Sequence, residues 1–213
     1  MTASLRVGVT TRRTGVKRTA ASLAIAFLAL MLLGGCAGGE KSPTPSESPN
    51  APKEEAAMLR LSSPAYEDGG LIPVEYANTG VPGGQNVSIP FEWSGTPEGT
   101  KSFALVLVDR YPAARSWIHW MVTGVPADEN GLPRGASGQS MPSGSTEQRN
   151  TFGEVGYGGP QPPAGTGKHE YEAVLYALDV SSVSTQPRTL EDLNRALDGH
   201  VLASATWAGM FGR

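Results

Sequence analysis

Five glycines and three prolines fall within the sixteen residues from Gly156 to Tyr171. Glycine loses much backbone entropy on ordering and proline removes a hydrogen-bond donor, so this stretch is excluded from helix and from regular strand. It runs straight into Tyr171-Glu172-Ala173-Val174-Leu175-Tyr176-Ala177-Leu178, an apolar segment of strand character. The run reads as a rigid rim at the mouth of a strand. Its glycines let backbone N–H groups approach a ligand, and His169 delivers one imidazole to a pocket. A plain surface loop accounts for the stretch equally well.

The rest of the pattern is mostly strand. Phe103–Val108 is an unbroken apolar run of strand length, consistent with burial on both faces, and Trp117–Val122 is another. Leu71–Tyr76 and Val87–Trp93 alternate more and carry Pro73 and Pro90, which suits edge or bulged strands. Val201–Trp207 fits a final strand, and the stretches 78–84 and 129–148 read as loops. One helix stands out. Thr189 and Asp192 make a capping box, Leu190, Leu193 and Leu197 share one face, and Gly199 can stop the helix. The predicted class is mainly β with one or two short helices.

Not all 213 residues belong to the fold. Residues 1–36 read as an export signal: Arg12, Arg13, Lys17 and Arg18 precede an apolar stretch, Ala20–Leu33, that is too short to span a bilayer. The signal ends Leu33-Gly34-Gly35-Cys36, an aliphatic residue, two small residues and cysteine, as in a bacterial lipobox. Cys36 is the single cysteine, so no intrachain disulfide can form and lipid attachment is its simplest role. Residues 37–57 carry four prolines and almost no large apolar side chain, so they read as a disordered linker. The globular domain is expected over 58–213, exported and held at the extracytoplasmic face of the membrane through the lipid on Cys36.

Charge narrows the partners. Without the signal, the chain keeps 12 basic and 20 acidic residues, a net charge of −8. A body this acidic is a poor electrostatic partner for nucleic acid or an anionic leaflet.

Three polar residues stand out against this background. Asp109 follows the buried run directly, where a carboxylate either caps a turn or faces a cleft. His119 sits among Trp117, Ile118, Trp120 and Met121, so it is expected to be buried and hydrogen-bonded, as a core histidine or as a ligand contact. With His169, these residues could make a donor-rich hollow for a phosphate or carboxylate. Anion affinity is then expected to rise as pH falls through the histidine range. No Gly-x-Ser-x-Gly elbow and no His-x-x-x-His or cysteine pairing is present, so neither an enzyme, a cofactor nor a metal site is expected.

Several blocks in order resemble the phosphatidylethanolamine-binding proteins, also known as the Raf-kinase-inhibitor-like family. Ser102–Asp109 resembles the family strand that ends in Asp-Pro-Asp-x-Pro, followed by the histidine of His119-Trp120. Asn150-Thr151-Phe152-Gly153 and Gly156–Pro160 resemble the next block, and Pro162–Tyr171 is similar to Pro-Pro-x-Gly-Thr-Gly-x-His-x-Tyr. The tail Gly199–Ala205 is also family-like. The resemblance covers most of residues 61–213. It implies a two-sheet β fold with a small anion pocket, built here by Asp109, His119, Gly159, Pro162, His169 and Tyr171. The implied ligand is phosphate, phosphorylethanolamine or a phospholipid headgroup, and a homodimer is left open. The first block reads Asp109-Arg110-Tyr111-Pro112, one residue short, so the second carboxylate is absent and recognition of an amine is in doubt. Arg110 or Arg115 could instead bring positive charge to the rim. Family members also bind and inhibit kinases or proteases, so an inhibitor module is the rival expectation, with a hydrolase using the His/Asp pocket behind it.

Overall fold

The computed structural model describes residues 58–183 and 185–213. The expected signal over 1–36, Cys36 with its lipid, and the linker over 37–57 lie outside the described residues.

Among the described residues, nine strands and one α-helix follow in chain order. They are β1 (Arg60–Ser62), β2 (Gly70–Leu71), β3 (Phe91–Ser94), β4 (Ser102–Asp109), β5 (Trp117–Pro126), β6 (Gly131–Leu132), β7 (Thr146–Glu147), β8 (Lys168–Leu178), α1 (Leu190–Leu197) and β9 (Val201–Gly212). Six form one sheet in the order β2-β9-β8-β4-β5-β7, and three form a second in the order β1-β3-β6. The expected two-sheet, mainly β architecture is what the chain adopts.

The unbroken apolar run has a simple cause. Phe103, Leu105 and Leu107 point from β4 into a core shared with Leu61, Phe91 and Trp93 of the small sheet. Ala104, Val106 and Val108 point the other way, under Leu193 and Leu197 of α1. Both faces of this central strand are therefore covered, and every one of its residues is buried. Each such aliphatic side chain contributes on the order of 1.5–3 kcal/mol relative to exposure. The helix is held as expected. The Thr189 hydroxyl accepts from the Asp192 amide while Asp192 accepts from the Thr189 amide, and Gly199 takes φ +77° just past the last turn.

The proline-bearing segments depart from the expected strands. Of the first, only Leu71 joins a ladder, as the second residue of β2, and Val74–Tyr76 is a single 3-10 turn entered from Pro73 at φ −59°. In the second, pairing begins at Phe91, because Pro90 has no N–H to give. The loop 129–148 contains the two-residue strands β6 and β7. In the other direction β8 starts at Lys168, three residues before Tyr171, so His169 belongs to the strand and not to the rim.

One irregularity positions the site. Along β4 and β5, Leu107 pairs with Trp120 but Val108 pairs with Ile118, which leaves His119 as the extra residue of a β-bulge. Bulges re-aim side chains. Trp120 faces the large core and Ile118 the helix-covered cluster, and the inserted His119 turns to the same side as Trp120.

Candidate functional site

Where the core between the sheets reaches the end of β4, it opens into a cavity of about 310 Å³. Three neighbouring strands supply four of its polar residues, and Gln161 and Thr166 from the loop before β8 add two more. Asp109 ends β4 on the face of Leu107, His119 comes from the β5 bulge, and His169 and Tyr171 come from alternate positions at the start of β8. Tyr111, Ala113, Ala114, Trp117, Phe152, Pro162 and Pro163 give it apolar walls. Asp109, His119, Pro162, His169 and Tyr171 of the expected set thus meet at one cavity.

Gly159 does not line that cavity. It lies where a Cβ would come within 2.2 Å of the Tyr76 carbonyl oxygen, so glycine is needed there for packing. The same holds for Gly158, whose Cβ would meet the Phe152 ring at 2.6 Å. The rim's backbone donors are also largely committed. Gly158 N–H donates to the His119 carbonyl, Gly156 N–H to Gln148, Gly165 N–H to Arg213, and Gly159 N–H to the Asn86 side chain. The expectation that glycine brings free N–H groups to a ligand is therefore not met at these four positions.

The two histidines are held differently. His119 Nδ1 lies 2.6 Å from the Gly158 carbonyl oxygen. A carbonyl only accepts, so Nδ1 carries the proton and Nε2 carries a lone pair. Gly158 thereby clasps His119 twice, through the main chain at 2.8 Å and through the ring. Burial outweighs the Gly158 carbonyl and the Asp109 charge and pushes the His119 imidazole down to about 4. His119 is thus a neutral acceptor at ordinary pH, which corrects the expectation of two donating imidazoles.

His169 is bonded at both nitrogens, Nδ1 to Asp109 Oδ2 at 2.7 Å and Nε2 to the Thr166 hydroxyl at 2.8 Å. The other oxygen of Asp109 accepts from the Tyr111 amide at 2.8 Å, and the Tyr111 ring stacks on His169 with centroids 3.9 Å apart and planes within 8°. Tyr171 stands between the histidines, 5.0 Å from the His119 ring and 6.5 Å from that of His169. Its hydroxyl is buried without a partner, as is the indole Nε1 of Trp117. Burial, with the Asp109 charge second, holds the Tyr171 phenol far above its ordinary value, so it keeps its proton.

Neither candidate arginine reaches the cavity. Arg110 pairs with Glu172 across the sheet at 2.9 Å, and Arg115 lines a neighbouring groove with Arg188. His200 pairs with Asp179 at 2.9 Å in the turn before β9, away from the site. Tyr111, Phe152 and Thr166 were not anticipated as cavity residues. The Tyr-Pro following Asp109 and the Thr-Gly preceding His169 are the only signals that pointed to two of them. Among the described residues, no three His, Cys, Asp or Glu side chains are grouped to hold a metal ion, and no helix is long and apolar enough to cross a membrane.

Residues 62–212 match the family model described as phosphatidylethanolamine-binding protein. A protein from Mycobacterium tuberculosis named "Putative lipoprotein LppC" is 36% identical over 201 residues, covering 88% of this chain and 96% of that protein. A UPF0098 protein from Methanothermobacter thermautotrophicus is 35% identical over 156 residues, covering 73% of this chain and 99% of that protein. Among solved structures, Escherichia coli YbcL, described as a member of the mammalian PEBP family, superposes with a TM-score of 0.68 at 30% identity, covering 74% of this chain and 99% of that one.

Proposed function

Because the chain belongs to the phosphatidylethanolamine-binding protein family, we propose that residues 58–213 hold a small anionic ligand in the cavity lined by Asp109, His119, Pro162, His169 and Tyr171. Phosphate, phosphorylethanolamine and a phospholipid headgroup are the candidates. The carrying observation is the convergence of four polar side chains from three strands on one cavity of about 310 Å³, a size typical of small-ligand sites. Tyr171 and Trp117 line it as well, and the Tyr171 hydroxyl and Trp117 indole N–H are enclosed behind the wall without a hydrogen-bond partner. The reading includes no catalysis. In calorimetric titration, phosphate or phosphorylethanolamine should bind the intact chain, and His169→Ala, which removes a wall of the cavity and leaves Asp109 and Thr166 without their shared partner, should weaken binding. Absence of heat with every such anion, in a folded protein, sinks the reading.

The same proposal places the domain outside the cytoplasm, tethered by residues 37–57 to a lipid on Cys36. The relative named as a putative lipoprotein supports it, since that match covers more of the chain than the domain alone comprises. Cys36→Ser should move the protein from the membrane fraction to the soluble fraction.

One observation favours a second reading. Thr166, His169 and Asp109 form a hydroxyl–imidazole–carboxylate relay with links of 2.8 and 2.7 Å, the arrangement of an activated nucleophile. The Thr166 hydroxyl has one hydrogen, however, and also lies 2.8 Å from the Pro163 carbonyl oxygen. If that hydrogen goes to Pro163, His169 Nε2 must donate to Thr166, and no base remains to activate it. Hydrolysis of an activated acetate ester that disappears in Thr166→Val would establish the relay as catalytic.

A further inference from the structure

We propose that the groove between residues 146–151 and 186–194 docks an acidic, extended polypeptide segment of a partner protein. It lies outside the ligand cavity and does not depend on it.

The domain over 58–213 carries 10 basic and 16 acidic residues, so its arginines have no shortage of carboxylates to meet. Arg110, Arg134 and Arg195 each pair with one. Among the described residues, Arg115, Arg149 and Arg188 pair with none. Yet these three share one surface. Arg115, Thr151, Arg188 and the start of α1 border a hollow of about 890 Å³. Arg188 also borders a second hollow, with Thr146, Gln148, Arg149 and Gln186. Two carboxylates face this groove, and both are already engaged. Glu147 accepts from Trp120, Ser137 and Gly138, and Glu191 from Arg195. Arg149 also donates to the Gly153 carbonyl, which steadies the guanidinium and leaves its charge uncancelled. The groove is therefore a positive strip on an acidic body. Arg115 is presented to it at some cost, because Arg115 and Ser116 are successive non-glycine residues in the left-handed region, at φ 51° and 60°. Strain of this kind gathers at binding surfaces.

The same lining selects the occupant. Arg115 and Arg149 border different hollows, so a molecule that meets both must extend past Arg188. Between the charges lie Thr146, Gln148, Gln186 and Asn194, neutral donors and acceptors that suit peptide groups. Trp117 is the single aromatic residue in the lining, so no row of rings is available for bases or sugars to stack on. The position favours a soluble partner over a bilayer. β1, which follows Met58 where the linker joins, lies beside β9, whereas the groove runs along β7 at the other edge of the large sheet. Carboxylates along an extended chain, recognised by an arginine cluster, are what this surface complements.

A fluorescent peptide of about ten glutamates, titrated into the intact chain and followed by anisotropy, tests the groove. It should bind, and more weakly as salt is raised. Arg115→Gln, Arg149→Gln and Arg188→Gln combined should weaken it by about tenfold, the loss of three exposed ion pairs. Arg60→Gln, in the exposed first residue of β1, should leave it unchanged. On the unsubstituted chain, hydrogen exchange should slow over 146–151 and 186–194 when the peptide is added. Absence of binding, or an equal loss in Arg60→Gln, overturns the inference and leaves the anion cavity untouched. Displacement of the peptide by excess phosphate, with protection at 166–171 instead, puts the peptide in the cavity and also overturns it. Polygalacturonate or phosphatidylglycerol vesicles binding in place of the peptide, and released by the same triple substitution, overturn the polypeptide in favour of a glycan or a bilayer.

Discussion

The two walls of the cavity carry the same residue type at nearly the same depth, His119 at 2% and His169 at 3% exposure, yet they differ in electrical character. On the β5 wall the imidazole meets a backbone carbonyl and apolar neighbours, Phe152 and Tyr171 at its edge. That environment opposes a charge, and the ring stays neutral. On the β8 wall the imidazole meets a carboxylate, a hydroxyl and the face of a tyrosine. Burial alone therefore says little about what a histidine does; the first partner at each nitrogen decides.

The strongest way to break the comparison is to strip the β8 wall of its carboxylate. Asp109→Ala leaves His169 Nδ1 and the Tyr111 amide without their acceptor, and should cost about 3–5 kcal/mol in urea denaturation, as for a buried pair losing one member. A loss below about 1 kcal/mol would mean the pair is no more than a surface-like contact.

The β5 wall should reveal itself through pH. The unfolded chain takes up a proton on His119 near 6.5, whereas the folded chain refuses it until about 4. The stability this provides is complete above the unfolded value and disappears as pH falls between the two, a change of about 3 kcal/mol. His119→Gln should flatten that part of the stability–pH curve. A slope unchanged by the substitution would show that the neutral wall is not its source.

Smallest in effect is the aromatic cover. Tyr111→Ala removes the ring stacked on His169 and should destabilise by about 0.5–1.5 kcal/mol, with the His119 titration left in place. If the His119 titration moves in NMR, the walls are coupled more closely than their separate partners imply.

Much of the framework was readable from the chain because it depends on local pattern. Phe103–Val108 is uniformly apolar since β4 is covered on both faces, and the Thr189–Asp192 box marks the helix start through bonds made within one turn. His119 stood out as a polar residue in an apolar strand. Its bulge did not, because a two-against-one register exists only relative to β4. Tyr111 and Phe152 were missed for a related reason: each reaches the cavity through a tertiary return that no periodicity encodes. From the sequence alone, the glycines of 156–167 suggest room for a ligand. At Gly158 and Gly159 they make room for Phe152 and for the backbone at Tyr76–Asn78 instead.

The double grip of Gly158 on His119 has a mechanical corollary. A loop tied to a strand only by main-chain bonds can swing away and leave the strand's side chains as they were. Here an outward excursion of the loop severs the imidazole's tether in the same movement and frees the ring to swap which nitrogen is bare. Loop displacement and tautomer exchange are therefore one coordinate, and a molecule that wedges the loop open resets the chemistry of the wall behind it.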